Sequence, residues 1–135
     1  VNASGAVFSN MVSEFGSSLL NGRTLQVSRD EGVVLQNKHI DFLSESTKWR
    51  TEIVILAAVA AQLRSPLLLM DGADILDINN KAAFLAFITN VAAPHFEHII
   101  VTTTCTGDIN KEKEQPSIHP LITKWIMENG GVTRV

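Results

Sequence analysis

Asp71, Asp74 and Asp77 follow directly on the apolar run Leu67-Leu68-Leu69-Met70. A carboxylate at the carboxyl end of a buried strand can hold Mg²⁺ beside a phosphate, directly or through water. The plainer role for two of them is Asp77 as the cap of the next helix and Asp74 as a solvated loop residue. A second cluster is Leu43-Ser44-Glu45-Ser46-Thr47-Lys48-Trp49-Arg50. Hydroxyls and free backbone N–H groups at a helix start make an anion site that favours phosphate, and Lys48 and Arg50 add positive charge nearby. An ordinary serine cap, a tryptophan packed on a core and two solvated cations account for the same residues without a ligand.

The other reactive side chains are less organised. His39, His95, His98 and His119 show no HxxxH or HxH spacing, so surface or packing roles are expected rather than metal ligation. Cys105 is the single cysteine; it forms no internal disulfide and no CxxC pair, which fits a reducing compartment such as the cytosol. Trp49 and Trp125 stand at helical apolar spacing and read as core. Lys111-Glu112-Lys113-Glu114 is charge-balanced and reads as a solvated loop.

The elements that must position these residues follow from periodicity. Val7 to Leu20 carries apolar residues at spacings of three and four, a helix that Asn21-Gly22 stops. Thr24 to Ser28 and Val33 to Gln36 read as a β-hairpin turning at Gly32, followed by an extended piece from His39 to Leu43. From Thr47 a helix apolar on nearly every side should be buried on most of them, with Ser44 or Ser46 as its cap. Pro66 closes that segment, and Leu67 to Met70 is a wholly apolar strand of the kind found centrally in parallel sheets. Asn79 or Asn80 can cap a helix through Val91, and His98 to Thr104 is a second apolar strand. Gly107 to Gln115 reads as an exposed loop, Pro120 to Glu128 as a last helix, and Val132 to Val135 as a closing strand. The fold class expected is α/β: a parallel-strand core flanked by helices, with an N-terminal β-hairpin.

At 135 residues the chain suits a single domain, residues 1–135, and its 45% hydrophobic and 19% charged content is that of a chain with a proper core. A net charge of −3 argues against a whole-surface grip on nucleic acid, while allowing a local basic patch. No stretch reaches the ~18–20 apolar residues of a membrane span. Val1-Asn2-Ala3-Ser4-Gly5 has neither the basic start of a signal peptide nor an initiator methionine, which predicts a piece of a longer chain.

Taken in order, the hairpin, Leu43-Ser44-Glu45-Ser46-Thr47 at a helix start, the apolar helix, and Leu67 to Asp71 with Leu76-Asp77 beyond it resemble a known arrangement. It is the C-terminal lobe of the ABC-type ATPase heads of the SMC/RecF class, in wording most similar to the phage and bacterial "AAA family ATPase" branch. The resemblance spans about residues 15 to 105. It implies a P-loop NTPase C-terminal lobe, with Ser44, Glu45 and Ser46 at the signature motif, Asp71 as the Walker B carboxylate that holds Mg²⁺, Asp77 in the D-loop, and Thr103 or Thr104 at the switch position. In this class ATP lies between two heads, so the signature serine serves the partner's nucleotide and the Walker B aspartate its own. The implied cofactors are ATP and Mg²⁺. The implied partners are a Walker A-containing lobe or chain, a second head across the nucleotide, and possibly DNA, in repair or in chromosome or phage DNA metabolism, with no membrane.

The pattern departs from the class at several positions. Gly72 stands where the catalytic glutamate follows Walker B, leaving Asp74 as the carboxylate available to orient water. A threonine replaces the switch histidine, and no GxxxxGK[ST] occurs. Half a nucleotide site supplies binding surface but little turnover. Two other readings stand beside this one: a non-catalytic α/β interaction module that has lost hydrolysis, and a stand-alone Mg²⁺-dependent phosphotransfer or nuclease domain using Asp71, Asp74 and Asp77.

Overall fold

The computed structural model describes residues 3–105, 107–117 and 119–135. The chain divides into two compact units, the first ending at Thr103 and the second running from Thr104 to Val135.

In the first unit, α1 (Ala3–Leu19) places Val12, Phe15 and Leu19 on one buried stripe and leaves Val7 outside. It stops where Asn21 and Gly22 turn left-handed, at φ 55° and 75°. β1 (Leu25–Ser28) and β2 (Gly32–Leu35) form the expected antiparallel hairpin, Leu25 opposite Leu35 and Ser28 opposite Gly32. A second reversal at Gln36-Asn37, both at positive φ, leads into β3 (Lys38–His39). The extended piece expected up to Leu43 ends there. Residues Ile40–Phe42 coil into a 3-10 turn closed by the Leu43 N–H on the Ile40 carbonyl.

α2 (Glu45–Gln62) is capped by Ser44 and buries Thr47, Arg50, Thr51, Val54, Ala58 and Ala61. Those spacings describe one wide stripe, not an enclosed cylinder. Leu56 and Val59 lie on the far side, 44% and 40% exposed, contrary to the all-round burial the composition suggests. The helix ends in a Schellman turn: Arg64 N–H reaches Ala61 O, Ser65 N–H reaches Ala60 O, and Arg64 takes φ 55°.

β4 (Leu67–Met70) pairs in parallel with β5 (His98–Val101), Leu67 opposite His98 and Met70 opposite Val101. This pair is the parallel core, and only one of its faces is covered. Leu68 and Met70 point into a cluster built by α1, α2 and α3 (Ile78–Ala86), with Ile99 and Val101 packed against it. Leu67, Leu69 and Ile100 point the other way and stay exposed. The cap of α3 is Asp77, not Asn79 or Asn80. α3 continues through a π-helical turn (Phe87–Ala92) and a 3-10 turn (Ala93–His95) before β5. Phe87 is fully buried there, edge-to-face with Phe15. β5 ends at Val101, with the Thr102 N–H still bonded to Met70 O at 2.9 Å, and Thr103 and Thr104 lie beyond the strand.

In the second unit a short helix, α4 (Ile109–Glu114), stands where a loop was expected, capped by Asp108. The helix expected over Pro120 to Glu128 is absent. Its second half is β6 (Trp125–Glu128), which pairs antiparallel with β7 (Gly131–Arg134) through a tight Asn129-Gly130 turn at φ 50° and 78°. Leu121, Ile122, Trp125 and Ile126 fit a helical spacing, but Trp125-Ile126-Met127-Glu128 also alternates. The asparagine–glycine pair favours a two-residue hairpin turn and tips the balance. Lys124 Nζ bonds Glu112 Oε2 at 2.7 Å, and Lys113 pairs with Glu128, tying α4 to the hairpin.

Candidate functional site

The tip of α2 is built around Ser44. Its backbone is extended (φ −61°, ψ 154°), and its Oγ accepts from the Thr47 N–H at 3.4 Å and donates to Thr47 Oγ1 at 2.9 Å. Beneath the tip lies Arg50, only 4% exposed. Its Nη1 donates to Leu19 O and its Nη2 to Thr47 Oγ1, both at 3.3 Å, and its Nε to Ser46 O at 3.4 Å. Arg50 is therefore not the solvated cation that its place in the sequence suggests. Burial first, and then the neighbouring Arg23, lower the pKa of the guanidinium from its ordinary value, while Asp77 acts to raise it. Lys48 is half-buried.

This tip joins positive features to one negative one. The first N–H groups of α2 and the buried Arg50 charge favour an anion. Ser46 Oγ is shielded from solvent without a hydrogen-bond partner among the described residues. Glu45, exposed in the first turn, already sets a carboxylate near the positive end of the helix.

Asp71 follows β4 and is exposed. The Thr102 hydroxyl donates to its Oδ1, and its backbone carbonyl accepts the Trp49 indole N–H at 2.9 Å. Trp49 is half-buried and packs edge-to-face on Phe84, centroids 5.3 Å apart. Gly72, next in the chain, has φ 84°, and a Cβ there would lie 3.7 Å from Trp49 Nε1. A glutamate in that left-handed conformation would be strained, so this turn is shaped for glycine.

The remaining sequence-predicted residues have surroundings of their own. Asp74 is exposed in a 3-10 turn (Ala73–Ile75). Asp77 uses both carboxylate oxygens on Asn80, Oδ1 on the backbone N–H at 2.8 Å and Oδ2 on the side-chain amide at 3.0 Å. Thr104 is exposed and belongs to the second unit. The threonine that touches Asp71 is Thr102, which the sequence reading passed over. The parallel register was the signal for it: Met70 opposite Val101 sets Asp71 opposite Thr102.

Among the described residues no group of three or more His, Cys, Asp or Glu can hold a metal ion. His39 meets Asp41 at 3.3 Å and His95 meets Glu14 at 3.2 Å. Cys105 is exposed. Trp125, expected in the core, is 57% exposed because its strand alternates and Ile126 takes the buried side.

Asp71 and Thr102 offer oxygen donors at one point. That donor set fits Mg²⁺ held by a single carboxylate together with phosphate oxygens, and does not make an all-protein metal cage.

No family model matches the chain, and no curated protein matches it. Among solved structures it is similar to an SMC head bound to the C-winged helix domain of ScpA, at a TM-score of 0.61 and 19% identity. The match covers 96% of this chain and 42% of that one, so the chain spans about two fifths of the length of the head it resembles. The likeness is one of fold: a small mixed α/β assembly related to part of an SMC head.

Proposed function

We propose that the chain is the C-terminal lobe of an SMC/RecF-like ATPase head. In this reading it supplies a signature-type helix tip and a Walker B-type aspartate to a composite nucleotide site whose P-loop lies outside these residues. The observation that carries the reading is a serine-capped, arginine-backed tip on α2 and an aspartate at the end of a parallel strand, in a fold related to an SMC head.

Ser44, Ser46 and the first N–H groups of α2 contact the terminal phosphate of a nucleotide held by a second head, with Glu45 at the rim. Arg50 keeps the tip rigid and adds charge from below. Asp71, oriented by Thr102, holds the Mg²⁺ of its own head's nucleotide. When bound, the ion neutralises phosphate charge; the chain's own part is to place oxygens and exclude alternatives. Asp74 is the carboxylate left to orient water, with Asp77 at the edge of the pocket. The partners are the P-loop lobe and a second head, in DNA repair or in chromosome or phage DNA metabolism in the cytoplasm.

A second reading, a non-catalytic interaction module of the same fold, is favoured by one observation. The position after Asp71 is a left-handed glycine, where a glutamate would be strained.

One assay tests both. The chain alone should show no detectable ATP hydrolysis, and joined to its P-loop lobe it should bind Mg²⁺·ATP in a manner that Ser44→Ala and Asp71→Ala each weaken by ten-fold or more. Hydrolysis by the chain alone that Asp71→Ala leaves unchanged overturns the assignment. Nucleotide binding without turnover in the joined form selects the second reading.

A further inference from the structure

Two side-chain hydrogen bonds tie the first two turns of α2 to other elements. Arg50 reaches the end of α1, and Trp49 reaches the carbonyl of Asp71. The second is informative, because an indole has one donor and no acceptor, so it commits its direction to a single partner. Asp71 O lies beyond the β4–β5 ladder, where water would otherwise serve it. The same ring is edge-on to Phe84, itself 5% exposed and stacked on Phe87, and its Nε1 faces Gly72. On the other side of the turn the Ala73 N–H bonds Thr102 O, and Thr102 Oγ1 bonds Asp71 Oδ1. Asp71 is thus held at its carbonyl by α2 and at its carboxylate by the residue after β5.

We infer that Trp49 couples two pockets through one head: a phosphate engaged at the α2 tip is sensed at Asp71, because the indole bond makes the tip and the β4 end move together. The inference rests on the proposed reading, in which Ser44 serves the partner's nucleotide and Asp71 its own. A rigid helix joins the two ends, since Ser44, Thr47 and Arg50 lock the tip and Trp49 stands on the next turn. A single hydrogen bond supports coupling at the low end of the usual range, roughly five-fold in affinity, and it acts equally in both directions.

The test uses the ¹⁵N-labelled full chain titrated with metal-free inorganic tripolyphosphate. In the native chain the backbone N–H signals of Glu45 to Thr47, the Trp49 indole N–H, and the amides of Gly72 and Ala73 should shift with one common midpoint. Trp49→Phe keeps an aromatic edge against Phe84 and removes the donor. There the tip signals should shift as before, while those of Gly72 and Ala73 lose more than half of their displacement. A tip that shifts beside an unmoved Trp49 indole in the native chain overturns the coupling, whatever the variant does. Equal shifts at Gly72 and Ala73 in both proteins overturn it as well. A native tip that does not respond at all overturns the phosphate reading of α2 itself, and the coupling falls with it.

Discussion

Arg50 shows how much one side chain can do when it is taken out of water. Among the described residues it meets no carboxylate in hydrogen-bonding contact; its partners there are two backbone carbonyls and a threonine hydroxyl. The Leu19 carbonyl belongs to the last turn of α1, whose final carbonyls have no partner within their own helix. Removing the guanidinium relieves its own desolvation but leaves Leu19 O unpaired and buried, a cost of ~1–3 kcal/mol, while Thr47 Oγ1 keeps the bond from Ser44 Oγ. The unpaired carbonyl outweighs the relief. Arg50→Met, which keeps the aliphatic stem, should therefore lower unfolding stability by about 2 kcal/mol. Urea titration should show this as a lower midpoint with an unchanged slope. Arg50→Lys should recover little, because a single ammonium cannot reach the acceptors of a planar fork. At this scale the sequence was only half legible. Ser44 as a cap follows from residue type and place, whereas the burial of Arg50 depends on where the end of α1 lands.

Legibility at the level of elements followed the strength of the local chemistry. The β1–β2 hairpin and the stop of α1 were readable because Gly32 and Asn21-Gly22 are permissive of positive φ. Gln36 and Arg64, which also adopt positive φ, carry no such mark: Pro66 bounds α2 in the sequence, but nothing in residue type shows the left-handed turn at Arg64 just before it. Asp77 wins the cap of α3 over Asn79 and Asn80 because its extended backbone directs both carboxylate oxygens at Asn80. The β6–β7 hairpin was hidden by an apolar pattern that fits either period, although Asn129-Gly130 marks a hairpin. That turn should therefore be the weak point of the second unit. Gly130→Ala, forced to hold φ near 78°, should cost the hairpin ~1–2 kcal/mol. Limited proteolysis should then cut between Trp125 and Arg134 about five-fold faster or more, with the first unit's fragments unchanged.

At the scale of the molecule, a parallel strand pair is normally covered on both faces, yet here the helices cover one. Leu67, Leu69 and Ile100 line the other face at 40%, 55% and 49% exposure, and among the described residues β4 and β5 pair only with each other. Two strands with open outer edges and one bare apolar face make half of a layered structure, in keeping with a chain that spans 42% of the SMC head it resembles. The two faces should respond to substitution in opposite ways. Leu68→Ala empties a site that is 1% exposed and should cost ~2–5 kcal/mol. Leu69→Glu, one residue along but outward, should leave the melting temperature within about 2 °C, since exposed positions rarely cost more than ~0.5 kcal/mol. If the P-loop lobe covers this face, the same charge should prevent the two lobes from co-purifying while leaving each folded. A Leu69→Glu chain as destabilised as Leu68→Ala would mean that the face is already occupied within the chain, and the lobe assignment would lose its docking surface.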